Sequence, residues 1–114
     1  VGRDPALLAQ RELSLMAAGM EVCSVTPEEA EPEARSALAR PWLICHTVEI
    51  TQVVYLACSV RRNSPASKLI LLEGERAVGF ESVLFHHVLK VPEQRDVLVN
   101  TIRKSLEDCL RNAS

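Results

Sequence analysis

Two short stretches of this chain, Trp42–Thr47 and Leu69–Leu72, run apolar with no polar alternation. A strand with one wet face alternates between apolar and polar residues, whereas a strand covered on both faces does not. Such runs therefore mark a parallel sheet sandwiched between helices. Between them, Ile50, Val53, Val54, Ala57 and Val60 recur at helical spacing within Glu49–Arg62. Strand, crossover helix and parallel strand form the right-handed unit of α/β domains.

The rest of the chain extends that alternation. Asp4-Pro5 is a helix start: the carboxylate caps orphan amides, and proline tolerates the first helical position. The helix is expected to run through Ala6–Ala18 and to end at Gly19, which supplies a left-handed conformation. Met20–Val25 reads as a short strand. Thr26-Pro27-Glu28-Glu29 is a capping box, opening a helix expected to reach about Ala39, with Pro32 inside it and Pro41 ending it. Asn63-Ser64-Pro65 is a turn. Gly74 and Gly79 weaken any helix between Gly74 and Phe85, and a strand within Val83–Leu89 ends at Lys90. After Pro92 comes a long last helix, whose predicted buried stripe is Leu98, Ile102, Leu106, Cys109 and Leu110.

At 114 residues the chain fits one domain, taken as 1–114. Its net charge of −2 creates no field to attract nucleic acid, so no nucleic-acid partner is expected. No apolar run approaches the roughly 18–20 residues of a membrane helix, so no membrane association is expected. The four cysteines, Cys23, Cys45, Cys58 and Cys109, form no CxxC pair and are read as buried structural thiols of a reducing cytoplasm. Adjacent residues of a strand face opposite ways, so His86 and His87 do not share one metal ion, and no metal or other cofactor is expected. Arg61-Arg62 reads as a solvated helix end and Trp42 as core. The sequence opens without Met, which leads us to expect a preceding segment in the gene product.

Several of these segments carry a family likeness. Val1-Gly2-Arg3-Asp4-Pro5 resembles the Val-Asp-Asp-Asp-Pro segment that follows the first strand of response-regulator receiver domains, the CheY-like superfamily. Pro5 to Gly19 matches the family's spacing across its first helix. Gly19-Met20-Glu21-Val22 resembles its Gly-Tyr-Glu-Val motif, and Val88-Leu89-Lys90 its Val-Lys-Pro-Phe signature. The resemblance spans essentially the whole chain. It implies a doubly wound, flavodoxin-like parallel sheet of five strands in the order 2-1-3-4-5, with the first strand largely outside this sequence.

The resemblance also implies which positions would carry chemistry. A working receiver needs an acidic pair for Mg²⁺, an Asp acceptor after the third strand, a Thr or Ser after the fourth, and a Lys. These groups meet at the carboxyl ends of the strands. Here the acidic-pair positions fall on Gly2 and Arg3, beside Asp4. The acceptor position falls on His46, the Thr/Ser position on Glu73 and the aromatic switch position on His87. Only Lys90 matches. The implied protein is a pseudo-receiver with no catalytic residue, acting without phosphorylation as a protein-interaction module and not as an enzyme. Arg3, Glu73 and Lys90 are expected to form an ion-pair network in the former metal site. The partner, another protein or a second copy, is expected on the last strand and helix, through Arg95, Arg103, Lys104, Glu107 and Asp108. The alternative reading is an atypical enzyme or small-ligand binder using His46, Glu73 and Lys90. A longer chain with a separate output domain is compatible with either.

Overall fold

A computed structural model describes residues 1–74 and 81–113. Its elements in chain order are α1 (Pro5–Ala17), α2 (Pro27–Glu33), β1 (Pro41–Ile44), α3 (Ile50–Asn63), β2 (Lys68–Glu73), α4 (Glu81–Leu84), β3 (His87–Lys90) and α5 (Arg95–Ala113). The strands form a parallel sheet in the order β1-β2-β3, with Trp42 opposite Leu69 and Leu71 opposite Val88. The two apolar runs are thus neighbouring strands, and β2, in the middle, is the more deeply buried: Leu69, Ile70 and Leu72 are fully enclosed.

Local chemistry fixes the helix starts. The Asp4 carboxylate accepts from the amides of Ala6 and Leu7 at 3.0 and 3.3 Å. At α2 both bonds of the capping box form: Glu29 N–H to Thr26 Oγ1 and Thr26 N–H to Glu29 Oε1. Gly19 holds φ +89°, the left-handed turn that ends α1. In α2 Pro32 is tolerated because the helix stops one residue later, at Glu33, well short of Ala39. Arg61 and Arg62 place positive charge at the carbonyl end of α3, where the helix dipole favours it.

Two apolar clusters sandwich the sheet. One joins Ile44, Leu69 and Leu71 to Val53, Leu56, Ala57 and Val60 of α3 and Ala30 of α2. The other joins Ile70, Leu72 and Cys45 to Leu15 of α1 and to Leu98 and Ile102 of α5. Alternate residues of β2 thus serve opposite layers, which explains the unbroken apolar run.

Three sequence expectations need correction. Met20–Val25 is not a ladder strand: the Gly2 N–H bond to Val25 O, 3.1 Å, ties its end to the N-terminal segment. In α5 the buried stripe is Leu98, Ile102, Ser105 and Cys109, whereas Leu106 and Leu110 are 37 % and 65 % exposed. The helix turns its 3–4 spacing onto Ser105, one residue before Leu106. Of the cysteines only Cys45 and Cys109 are buried; Cys23 and Cys58 are exposed, and all four are free thiols. The expectation about Gly79 lies outside the described residues. Among the described residues, no helix is long and apolar enough to cross a membrane.

Candidate functional site

The carboxyl ends of the parallel strands deliver His46, Glu73 and Lys90 to one rim. His46 stands two residues beyond β1 and is exposed, Glu73 ends β2 and is buried, and Lys90 ends β3 and is exposed. His46 lies against the end of β2: a methyl group placed on Gly74 would sit 3.6 Å from the His46 Cβ. His87 lies at the opposite end of β3, half-buried, away from this rim.

The N-terminal segment reaches the same rim beside β1. The Val1 nitrogen donates to Leu43 O at 2.7 Å, and the Cys45 amide donates to Val1 O at 2.8 Å. Val1 is thereby held in parallel register with β1. Gly2 is buried behind it, and Arg3 emerges at the rim with its amide on Thr47 Oγ1, 2.9 Å. A Cβ on Gly2 would meet Leu8 Cδ2 at 3.1 Å and Cys45 Sγ at 3.3 Å, closer than ordinary contact. The packing leaves only a glycine-sized space at this position. Asp4 is committed to the cap of α1.

The Arg3 guanidinium turns across the rim to the N-terminal ends of α2 and α3. It donates to Glu28 at 2.7 and 3.2 Å, to Glu49 Oε2 at 2.8 Å and to Gln52 Oε1 at 2.7 Å. The expected network of Arg3 with Glu73 and Lys90 is therefore replaced: Arg3 draws its carboxylates from the helix starts, which the crossovers bring over the strand ends. Glu49 is the N-cap residue of α3, yet its side chain makes no cap bond because Arg3 holds it. These bonds depress the Glu28 carboxyl to about 2, hold the Glu49 carboxyl below the usual carboxylate range, and raise the Arg3 guanidinium further. The rim thus carries a cation paired with two carboxylates.

A second ion pair lies behind the rim. Arg11 of α1 donates from Nε and Nη2 to the two Glu93 oxygens at 2.7 and 3.3 Å, and from Nη1 to Cys45 Sγ at 3.5 Å. The two charged side chains are only 8 % and 12 % exposed. Burial opposes the charge on each; the mutual hydrogen bonds outweigh it, holding the Glu93 carboxyl below its ordinary value and raising Arg11. The sequence reading missed this pair, although a signal exists. Arg11 stands three residues after Leu8 and four before Leu15, on the apolar stripe of α1. No local signal marks Glu28 or Glu49 as partners of Arg3, because they stand 25 and 46 positions away.

The expected interface residues lie on the outer side of α5: Arg95, Arg103, Lys104 and Glu107 are exposed and Asp108 is half-buried. Arg103 is partly engaged within the chain, donating to Ala18 O at 3.4 Å. Among the described residues, no group of three or more His, Cys, Asp or Glu is placed to hold a metal ion. An open groove of about 720 Å³ runs between Met20–Val25 and β1, lined by Val1, Leu8, Trp42, Leu43, Ile102 and Leu106 among others.

No protein-family model matches the sequence, and no curated protein matches it significantly. Solved structures do match. A CheY-like response regulator receiver domain protein from Methanospirillum hungatei JF-1 superposes with a TM-score of 0.80 at 17 % identity, over 96 % of this chain and 91 % of that one. A response regulator receiver protein from Sinorhizobium medicae WSM419 gives 0.80 at 18 % identity, over 95 % and 91 %. The likeness establishes a CheY-like, flavodoxin-like α/β fold.

Proposed function

We propose that this chain is a receiver-type signalling module whose output is independent of phosphoryl transfer: a protein-binding pseudo-receiver and not an enzyme. The observation that carries the reading is Arg3. Arg3 stands at the sequence position where the receiver pattern has a carboxylate ligand for Mg²⁺, and its guanidinium is tied to Glu28 and Glu49. Arginine supplies no oxygen ligand to a dication, and phosphoryl transfer depends on the metal to neutralise developing charge. Gly2 supplies no ligand and His46 no carboxylate. Incubation with acetyl phosphate and Mg²⁺, followed by intact-mass measurement, tests the reading. No added phosphoryl mass is expected; a single phosphoryl adduct lost in His46→Ala would overturn it.

The fold reading completes in the same way. We take Met20–Val25, the Val1–Gly2 segment, β1, β2 and β3 as the receiver order 2-1-3-4-5. The bonds of Val1 to Leu43 and Cys45, and of Gly2 to Val25, support it. The groove between Met20–Val25 and β1 continues the line of Val1 and is the slot an extended strand ahead of Val1 would fill. A chain extended there by a short apolar strand should melt several degrees higher.

With no phosphorylation to shift populations, output follows partner concentration. The partner, another protein or a second copy, is assigned to β3 and α5, whose outer charges suit a salt-sensitive contact. Lys104→Glu is the clean test, because Arg103 also bonds α1. Association unchanged by that reversal and by raised salt would exclude this face. The second reading, a ligand pocket at His46, Glu73 and Lys90, draws no support from the 720 Å³ groove, which none of the three lines.

A further inference from the structure

The start of β3 is joined to β2 by a side chain. His86 donates its own amide to Leu69 O at 2.9 Å, and Leu69 returns its amide to the imidazole Nδ1 of His86 at 3.0 Å. The ring thus occupies the place in the ladder that a backbone carbonyl of a longer strand would fill. The two partners differ in their access to solvent: His86 is exposed, while Leu69 is fully buried. Protons reach the ring, but water does not reach the amide it satisfies.

We propose that His86 is a pH-sensitive latch, fastening the α4–β3 connection to the sheet only while its imidazole is neutral. Nδ1 accepts the Leu69 N–H through a lone pair, and protonation converts that atom into a donor facing a donor. The buried amide would then be orphaned, which a folded interior resists.

The groups facing the ring all oppose its protonation. Arg61 comes from α3, Lys68 from β2 and His87 from β3 itself, and partial burial acts in the same direction, so the His86 pKa lies below its ordinary value. Among the described residues, no carboxylate contributes to that shift. On α5, Cys109 comes within electrostatic reach of Lys68 at the same end of β2, and Asp108 within reach of Cys109. Arg61 also donates to Leu84 O, the last residue of α4, at 3.0 Å. Among the described residues the connection is held by the Arg61 bond to Leu84 O, the His86 amide bond to Leu69 O and the Leu69 amide bond to the His86 ring, of which only the last is titratable near neutrality. Release of the ring below neutral pH loosens the link between α4 and β3, next to the exposed Val83.

Linkage gives the sign. A cationic group depressed on folding binds its proton more readily in the unfolded chain. The latch is fully effective above the unfolded value near 6.5, and its contribution is lost as pH falls from there through the folded pKa.

Two measurements on the intact chain test the latch. The first is the NMR titration of the His86 ring in the wild type: a midpoint below about 6.5 is expected, and one at or above that value overturns the proposal. The second is the protection factor of the Leu69 amide between pH 7.5 and 5. It should fall roughly tenfold in the wild type, the scale of one buried hydrogen bond. In His86→Asn, whose Oδ1 accepts at every pH, it should stay flat. Parallel profiles in the two proteins would overturn the latch even if the variant is less stable.

Discussion

Two arginines of this chain stand eight residues apart in sequence and do opposite things. Arg3 sits at the rim with its side chain 34 % exposed and three acceptors around it. Arg11 sits under the rim, 8 % exposed, with one carboxylate and one thiol. Arg3 has the more numerous partners, yet Arg11 matters more to the fold, because water already solvates each partner of the exposed cluster and screens it. Glu93 without Arg11 would instead be a charge stranded in an apolar layer. The two pairs thus divide the labour: the buried one holds α1 against the β3–α5 turn, while the exposed cluster sets the local charge at the rim without holding the fold together.

The largest expected effect is at the buried pair. Arg11→Ala or Glu93→Ala should each cost about 3 kcal/mol in urea unfolding, the scale for breaking a buried pair. The double replacement Arg11→Met with Glu93→Leu should recover most of that loss, since no charge is then stranded. A double variant as unstable as the singles would show that packing, not charge, is what Arg11 supplies.

Next comes the space behind the rim. Gly2→Asp, the substitution that would restore an acidic ligand, should cost about 1–3 kcal/mol through overpacking against Leu8 and Cys45. It should create no Mg²⁺ site measurable by calorimetry while Arg3 is present. Mg²⁺ binding in Gly2→Asp alone would mean that Arg3 swings away easily, and the contrast between the two arginines would narrow.

Acid titration separates the pairs by salt. Both Glu28, at about 2, and Glu93 are depressed on folding. Each therefore contributes stability that is present above the unfolded carboxyl value near 4.3 and is lost as pH falls through the folded value. Raised salt should flatten the part that Arg3→Gln removes and leave the part that Glu93→Gln removes, because buried charges are screened less. Equal salt sensitivity of the two parts would refute the division.

The smallest effect should be Arg3→Gln at neutral pH, with a drop in unfolding midpoint well below those at the buried pair and reduced by raised salt. Its consequence is expected at the rim instead, as a site with less positive potential. A drop as large as those at the buried pair would make the exposed cluster structural.

Much of the fold was legible because its determinants are local. Asp4-Pro5 and the Thr26–Glu29 box announced their helices through bonds spanning two or three residues. The runs at Trp42 and Leu69 announced covered strands because a strand buried on both faces has no polar position to show. Where two local signals compete, the reading slipped: Leu106 and Ser105 are neighbours, and their order of burial depends on how α5 rotates against the sheet. The same holds for Met20–Val25, whose β-branched residues favour extension but whose ladder depends on what lies beside it.

The order of amino acids was thus enough for the alternation of elements, the parallel sheet, and the absence of carboxylates at Gly2, Arg3 and His46. Capping, periodicity and residue identity need no knowledge of distant neighbours. Packing of the layers was needed to pair Arg3 with Glu28 and Glu49 and not Glu73, to bury Arg11 on Glu93 across 82 positions, and to put a ring nitrogen of His86 in place of a strand carbonyl for Leu69. An ion pair or a bond across layers is chosen by whichever groups the crossovers bring within about 3 Å, and that proximity is a property of the packed layers, not of any local stretch of chain.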